Sequence, residues 1–159
     1  MAETATNPRN LPAFLDTIAF SEGTDKPGQP TRDRGYDVLV GGGLFSGYAD
    51  HPRKLIDLPR LGIKSTAAGR YQVLARYYDA YKKQLKLPDF SPTSQDKIAI
   101  QLIKECKALD DVNAGRIGDA LHKCRSRWAS LPGAGYGQHE HTTDRLISIY
   151  QTKGGVLDS

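Results

Sequence analysis

An α+β fold, mostly helical with one small sheet, is the expectation for this 159-residue chain, and three features predict it. Apolar residues recur at helical spacing through most of the chain, one stretch at 36–45 carries a strand-like run around three glycines, and loops rich in Gly and Pro separate the two patterns. The length matches one domain on the usual scale of ~100–200 residues. Residues 1–159 are therefore read as a single domain, with room for two lobes.

The elements follow in order. Pro12 suits a first helical residue, and Phe14, Leu15, Ile18 and Ala19 share one face, which predicts a helix ending near Ser21. Residues 23–31 read as a loop. Tyr36 to Val40, then glycines 41–43, then Leu44-Phe45 predict strand, turn and strand. The triple glycine is not a phosphate loop, since neither Lys-Ser/Thr nor GxGxxG spacing follows. Residues 48–69, with His51-Pro52 and Pro59, read as a long irregular loop of the kind that often binds or covers a ligand. Leu74, Tyr77, Tyr78, Tyr81 and Leu85 mark a helix whose tyrosines suit packing better than base stacking. A further helix is predicted from Ser94, as N-cap, to Lys107. Another begins at Asn113 or Asp119, carries Leu121, Cys124 and Trp128, and stops before Pro132-Gly133. After a glycine-rich loop at 132–138, Leu146, Ile147 and Tyr150 mark a last helix, and 154–159 read as a loose tail.

Composition narrows the function classes. A hydrophobic fraction of 38% and a charged fraction of 25% are those of a soluble globular protein. No apolar run approaches the ~18–20 residues that span a bilayer, and the opening residues lack the basic and apolar regions of a signal peptide. Cys106 and Cys124 have no CxxC spacing and read as two buried thiols. The net charge of +4 suits a polyanionic partner, nucleic acid or an anionic cell envelope. The basic residues are dispersed and no basic, aromatic-interleaved module is present, which argues against nucleic acid. His139-Glu140-His141 lacks the H-E-x-x-H spacing of a helical metal site and reads as the start of a surface helix.

The candidate catalytic group is Glu22, in Ser21-Glu22-Gly23-Thr24 at the end of the first helix. A carboxyl beside Phe20 and Ile18 is partly desolvated, which favours its neutral acid form, as a general acid requires. The same residues also make an ordinary solvated turn, and taken alone they favour the turn.

The wider pattern alters that balance. Ser21 to Asp25, Gly35 to Val38, Tyr48 to Lys54, Ala68 to Gln72, Asp89 to Pro92 and Trp128-Ala129-Ser130-Leu131-Pro132-Gly133-Ala134-Gly135-Tyr136-Gly137-Gln138 occur in that order. Together they closely resemble the lambda-type family of phage endolysins, from about Phe14 to Leu146. The chain departs from the family pattern in part of 55–64 and at its extreme termini.

The resemblance implies a lysozyme-like fold, with a mostly helical lobe, a small β-rich lobe and a substrate cleft. It implies cleavage of the β-1,4 bond between N-acetylmuramic acid and N-acetylglucosamine in peptidoglycan, leaving a 1,6-anhydromuramoyl end, which makes the enzyme a lytic transglycosylase. Glu22 matches the family's catalytic acid. Asp37, Arg70, Tyr71, Gln72, Tyr136 and Gln138 are assigned to substrate binding, with the 132–138 loop and the 50–64 segment as the two lips. Plain sheet residues beside a turn remain the alternative for 70–72. No cofactor and no metal are implied. A holin is implied for passage from the host cytoplasm to the wall, with no direct contact, no stable membrane association and a monomeric state.

Two other readings stay open. A hydrolytic muramidase would use a second carboxylate, Asp25 or Asp37, at the ~5–9.5 Å separations of ordinary glycosidases. A non-catalytic peptidoglycan-binding module would keep the loops without needing an acid at position 22.

Overall fold

The computed structural model describes residues 6–137 and 139–158. They form two compact units, one of residues Met1–Ser21 and Ile100–Ser159, the other of Glu22–Ala99. The described elements are α1 (Asn10–Ser21), β1 (Ile56–Leu58), β2 (Ile63–Ser65), α2 (Ala75–Leu85), α3 (Pro92–Glu105), α4 (Leu109–Ala114), α5 (Ile117–Cys124) and α6 (Thr143–Thr152).

The first unit is helical, and α1 packs against α4 and α6. Helix α1 begins before the predicted Pro12 because Asn7 starts the turn: its Oδ1 accepts the Arg9 amide at 3.0 Å and its carbonyl accepts the Asn10 amide. Pro12 still falls in the first turn, where a missing N–H costs nothing. Ala13, Phe14, Ile18 and Ala19 are fully buried, so α1 forms the unit's centre. The same unit also buries Ile103, Val112, Leu121, Trp128, Leu131, Leu146 and Tyr150.

Three expectations fail in this unit. Asn113 lies in the last turn of α4 and Asp119 in the first turn of α5, so neither starts its helix; the Gly115-Arg116 break divides one predicted element into two. Helix α5 stops at Cys124, and Trp128 is buried from the turns that follow. The C-terminal segment is tied down rather than loose: the Val156 amide donates to Asn10 Oδ1 at 2.9 Å, Tyr150 Oη donates to the Val156 carbonyl at 2.9 Å, and the Asp158 amide donates to the Gly115 carbonyl at 3.1 Å.

The second unit has little regular sheet. The predicted strands at 36–45 are reduced to isolated bridges, Val38 to Leu44 and Leu39 to Ala68, because the positive φ of Gly41 and Gly42 turns the chain before a ladder can extend. The antiparallel pair instead falls in the segment predicted to be irregular, with Ile56 opposite Ser65, Asp57 opposite Lys64 and Leu58 opposite Ile63. Pro59 lies in the turn between these strands and so does not break them. Residues 69–72 also form a turn, closed by the Ala68 to Val73 bridge. Ser91, not Ser94, caps α3: its Oγ accepts the Ser94 amide at 3.3 Å, while Ser94 Oγ donates to Asp89.

An aromatic cluster forms the core of the second unit. Phe90 stacks with Phe45, Tyr78 and His51, the last at a centroid separation of 4.9 Å. His51 is buried, with Nε2 at 2.8 Å from the Val73 carbonyl and Nδ1 accepting the Arg53 amide at 2.9 Å. A carbonyl only accepts, so Nε2 carries the hydrogen and the ring is neutral.

Burial, the largest cause, lowers the His51 pKa below the ordinary histidine value. Folding thus favours the neutral ring, and this stability is complete above the unfolded value of about 6.5 and lost as pH falls through the folded one. In a two-dimensional NMR titration His51 is expected to titrate below 6.5 and to release its Nδ1 bond as it does so. Titration at or above the ordinary value would contradict this assignment.

Candidate active site

Glu22 follows directly on α1, and the chain around it is fixed at several points. Ser21, the last residue of α1, shares a buried hydrogen bond with Ser130, Oγ to Oγ at 2.7 Å. Gly23, at φ +80, turns the chain out of the helix. Two residues beyond Glu22, the buried Thr24 Oγ1 donates to the Arg70 carbonyl at 2.6 Å. Gly35 lies so close that an added Cβ would stand 2.8 Å from the Thr24 carbonyl oxygen, and its φ is +89, so no other residue fits. Glu22 itself is half-buried.

Arg70 lies inside this arrangement, 1% exposed. Its guanidinium donates to Asp25 Oδ2 at 3.0 Å, to the Arg34 carbonyl at 2.9 Å and to Tyr71 Oη at 3.1 Å. Tyr71 Oη passes its own hydrogen to Asp96 Oδ1 at 2.6 Å, and Tyr36 Oη donates to the same oxygen at 2.8 Å. Burial, reinforced by Asp96, pushes both phenols above the ordinary tyrosine value, so they remain protonated donors. Gln95 completes the frame, accepting the Arg70 amide at 2.9 Å and donating to the Tyr36 and Phe90 carbonyls. Gly69 is obligatory beside it, because a Cβ there would meet Gln95 Oε1 at 2.3 Å.

The residues singled out for substrate binding thus occupy different settings. Asp37, Arg70 and Tyr71 are buried and bonded internally. Asp37 accepts Thr31 Oγ1 at 2.5 Å and the Arg32 amide at 3.1 Å, shaping the 31–37 loop. Gln72 is half-buried at φ +55, with Nε2 on the Val38 and Gly69 carbonyls. Tyr136 belongs to the other unit, is 56% exposed, and donates Oη to the Ser126 carbonyl at 2.9 Å. Gln138 lies outside the described residues.

Sequence reasoning overlooked Thr24, Gln95 and Asp96, which hold the site together; their signal was only their chemical type, since Thr24 bonds Arg70 46 residues away, Gln95 bonds Arg70 25 away and Tyr36 59 away, and Asp96 bonds Tyr71 25 away and Tyr36 60 away. It also misjudged Glu140. The last helix starts at Thr143 with Thr142 as cap, and Glu140 instead accepts the Gly133 and Gly135 amides at 2.9 Å each.

Residues 12–157 match the family model described as Endolysin. The chain belongs to the endolysin family. It is 58% identical over 146 residues to the endolysin of Escherichia phage lambda, covering 91% of each chain, and 53% identical over 158 residues to that of Escherichia phage P2, covering 93% and 94%. Among solved structures it is similar to the bacteriophage lambda lysozyme complexed with a chitohexasaccharide, with TM-score 0.92, 54% identity and 99% of each chain covered. A second structure of the lambda lysozyme gives TM-score 0.87 over the same share. The lysozyme-like α+β fold expected from the motifs is therefore the fold of this endolysin.

In this endolysin the glycine loop has its own anchor, and that anchor titrates. The two amide bonds hold the Glu140 carboxyl below the ordinary glutamate value. The anchor is therefore complete above that value and is lost as pH falls through the lower, folded one. Glu140→Ala is expected to accelerate hydrogen exchange at Gly133 and Gly135 while leaving α1 amides protected. Unchanged exchange at both glycines would contradict an anchoring role.

Proposed function

We propose that this member of a family of cell-wall-degrading enzymes cleaves the β-1,4 bond between N-acetylmuramic acid and N-acetylglucosamine by lytic transglycosylation. Glu22 gives its proton to the glycosidic oxygen as the bond from that oxygen to the muramic C1 breaks. The muramic C6 hydroxyl then attacks C1, and its proton returns to the Glu22 carboxylate. One group serves as acid and then base, no water enters, and the product closes as the 1,6-anhydro sugar. The internal nucleophile benefits from proximity, since well-oriented intramolecular reactions reach effective molarities of ~10⁵–10⁸ M.

The observation that carries this reading is the state of the two candidate second carboxylates. A hydrolase needs one free to hold a water or attack the sugar. Asp37 is buried with its oxygens on Thr31 and Arg32, and Asp25 is paired with Arg70. Both are bound up in structure, which suits a mechanism that asks for one carboxyl. The lambda lysozyme's complex with a chitohexasaccharide supports a glycan as ligand.

We retain Gln72, Tyr136 and Gln138 as glycan contacts. The 55–65 hairpin, where Leu55, Leu61 and Ile63 are 61%, 42% and 44% exposed, offers apolar surface suited to sugar faces. Asp37, Arg70 and Tyr71 shape the site from within rather than touching sugar. Among the described residues no helix is long and apolar enough to cross a membrane. We propose that the monomeric protein waits in the host cytoplasm and reaches the wall after a holin opens the inner membrane.

Mass spectrometry of muropeptides released from purified peptidoglycan tests the reading. The wild type is expected to release 1,6-anhydromuramoyl ends, and Glu22→Gln to lose ~10²–10⁴-fold in rate, the usual share of general acid–base catalysis. Reducing ends from the wild type, or an active Glu22→Gln, would contradict it.

A further inference from the structure

We infer that Asp25 and Arg70 form a clamp that positions the Glu22 loop, making both positioning residues for the reaction rather than substrate contacts. This inference rests on Glu22 being the acid. Residues 22–25 carry the acid on a short loop, and its far end is held at two points of Arg70. Thr24 Oγ1 donates to the Arg70 carbonyl at 2.6 Å, and the Arg70 guanidinium donates to Asp25 Oδ2 at 3.0 Å.

The clamp is itself anchored. Arg70 side-chain exposure is only 2%, and its Nε lies on the Arg34 carbonyl next to Gly35, the glycine that packs against Thr24. Its amide lies on Gln95 and its Nη1 on Tyr71, which leads to Asp96. Three chain segments, 22–25, 34–36 and 69–71, are thus joined through one planar cation, with α3 behind them through Gln95 and Asp96.

A guanidinium suits this position because its fork reaches several acceptors in fixed directions, whereas a lysine ammonium on a flexible stem cannot hold Asp25, the Arg34 carbonyl and Tyr71 together. Asp25 is the more accessible partner, with side-chain exposure of 29%. It can therefore be altered with little disturbance of the core, which allows positioning to be separated from folding. A single-acid mechanism is sensitive to such positioning, since a displacement of ~1 Å can cost on the order of 10²-fold.

The test measures kcat and KM of the full chain on a soluble peptidoglycan tetrasaccharide peptide for Asp25→Asn, Arg70→Lys, their double variant, Asp25→Glu and Thr24→Val. Glu22→Gln is run in parallel, and circular dichroism and thermal midpoints are recorded for all. A clamp lowers kcat about 10- to 100-fold in Asp25→Asn and Arg70→Lys with KM within about twofold, and the double variant is no slower than the worse single. Asp25→Glu recovers part of the kcat, and Thr24→Val falls in the same direction as Asp25→Asn. Should Arg70→Lys not fold, Asp25→Asn and Thr24→Val decide the matter.

Wild-type kcat in Asp25→Asn and Thr24→Val overturns the clamp, as does a raised KM with kcat preserved, which would make Arg70 or Asp25 a substrate contact. Losses that multiply in the double variant also overturn it. An inactive Glu22→Gln beside a fully active Asp25→Asn would reject the clamp alone, whereas an active Glu22→Gln would reject the reading beneath it.

Discussion

The charge of Arg70, whose side chain is 2% exposed, has to be matched where it lies, and loops of the second unit converge on that matching. Its acceptors come from three separated stretches of chain: Asp25, the Arg34 carbonyl and the Tyr71 hydroxyl. Burying a charge unmatched is costly, and the Arg34 carbonyl and Tyr71 hydroxyl hold the guanidinium alongside the more exposed Asp25. The surrounding glycines follow from the same constraint: Gly35 lets Thr24 approach, and Gly69 leaves room for Gln95. The two tyrosines join in as donors because burial keeps their phenols protonated, so Asp96 collects two hydrogen bonds on one oxygen.

This arrangement bears on the chemistry through what it uses up. Asp25 and Asp37 are the carboxylates that a hydrolase would recruit, and both are spent on shaping loops, Asp25 on Arg70 and Asp37 on Thr31 and Arg32. A reaction whose nucleophile is the substrate's own hydroxyl needs no second carboxylate. It needs its one acid held in register with two oxygens in succession, the glycosidic oxygen and the C6 hydroxyl. Anchoring of the chain just beyond Glu22, by Thr24 on the Arg70 carbonyl, meets that demand.

What the sequence disclosed depended on how local each signal was. Helices α1, α2, α3 and α6 follow from apolar spacing, and their errors lie at the ends, where a cap such as Asn7 or Ser91 outweighs periodicity. The hairpin at 56–65 is hidden because the prolines and small residues of 48–69 together read as an irregular loop, whereas Pro59 lies in the hairpin's own turn. The strands expected at 36–45 fail because the glycines that suggested a turn also end the pairing. The motifs around Glu22, Arg70 and Tyr136 were visible as a family pattern. That pattern could not distinguish a side chain that contacts sugar from one that holds a loop: Arg70 and Asp37 looked like binding residues and are buried. Their partners are distant in sequence, and no periodicity reports such a pairing. The tail shows the same limit, since its ties to Asn10 and Gly115 are invisible in its own composition.

The central claim is that no water oxygen enters the product, and cleavage of purified peptidoglycan in ¹⁸O-labelled water measures this directly. Lytic transglycosylation predicts released muramoyl ends free of ¹⁸O at early times. One ¹⁸O in each new end would show that water is the nucleophile and would contradict the account.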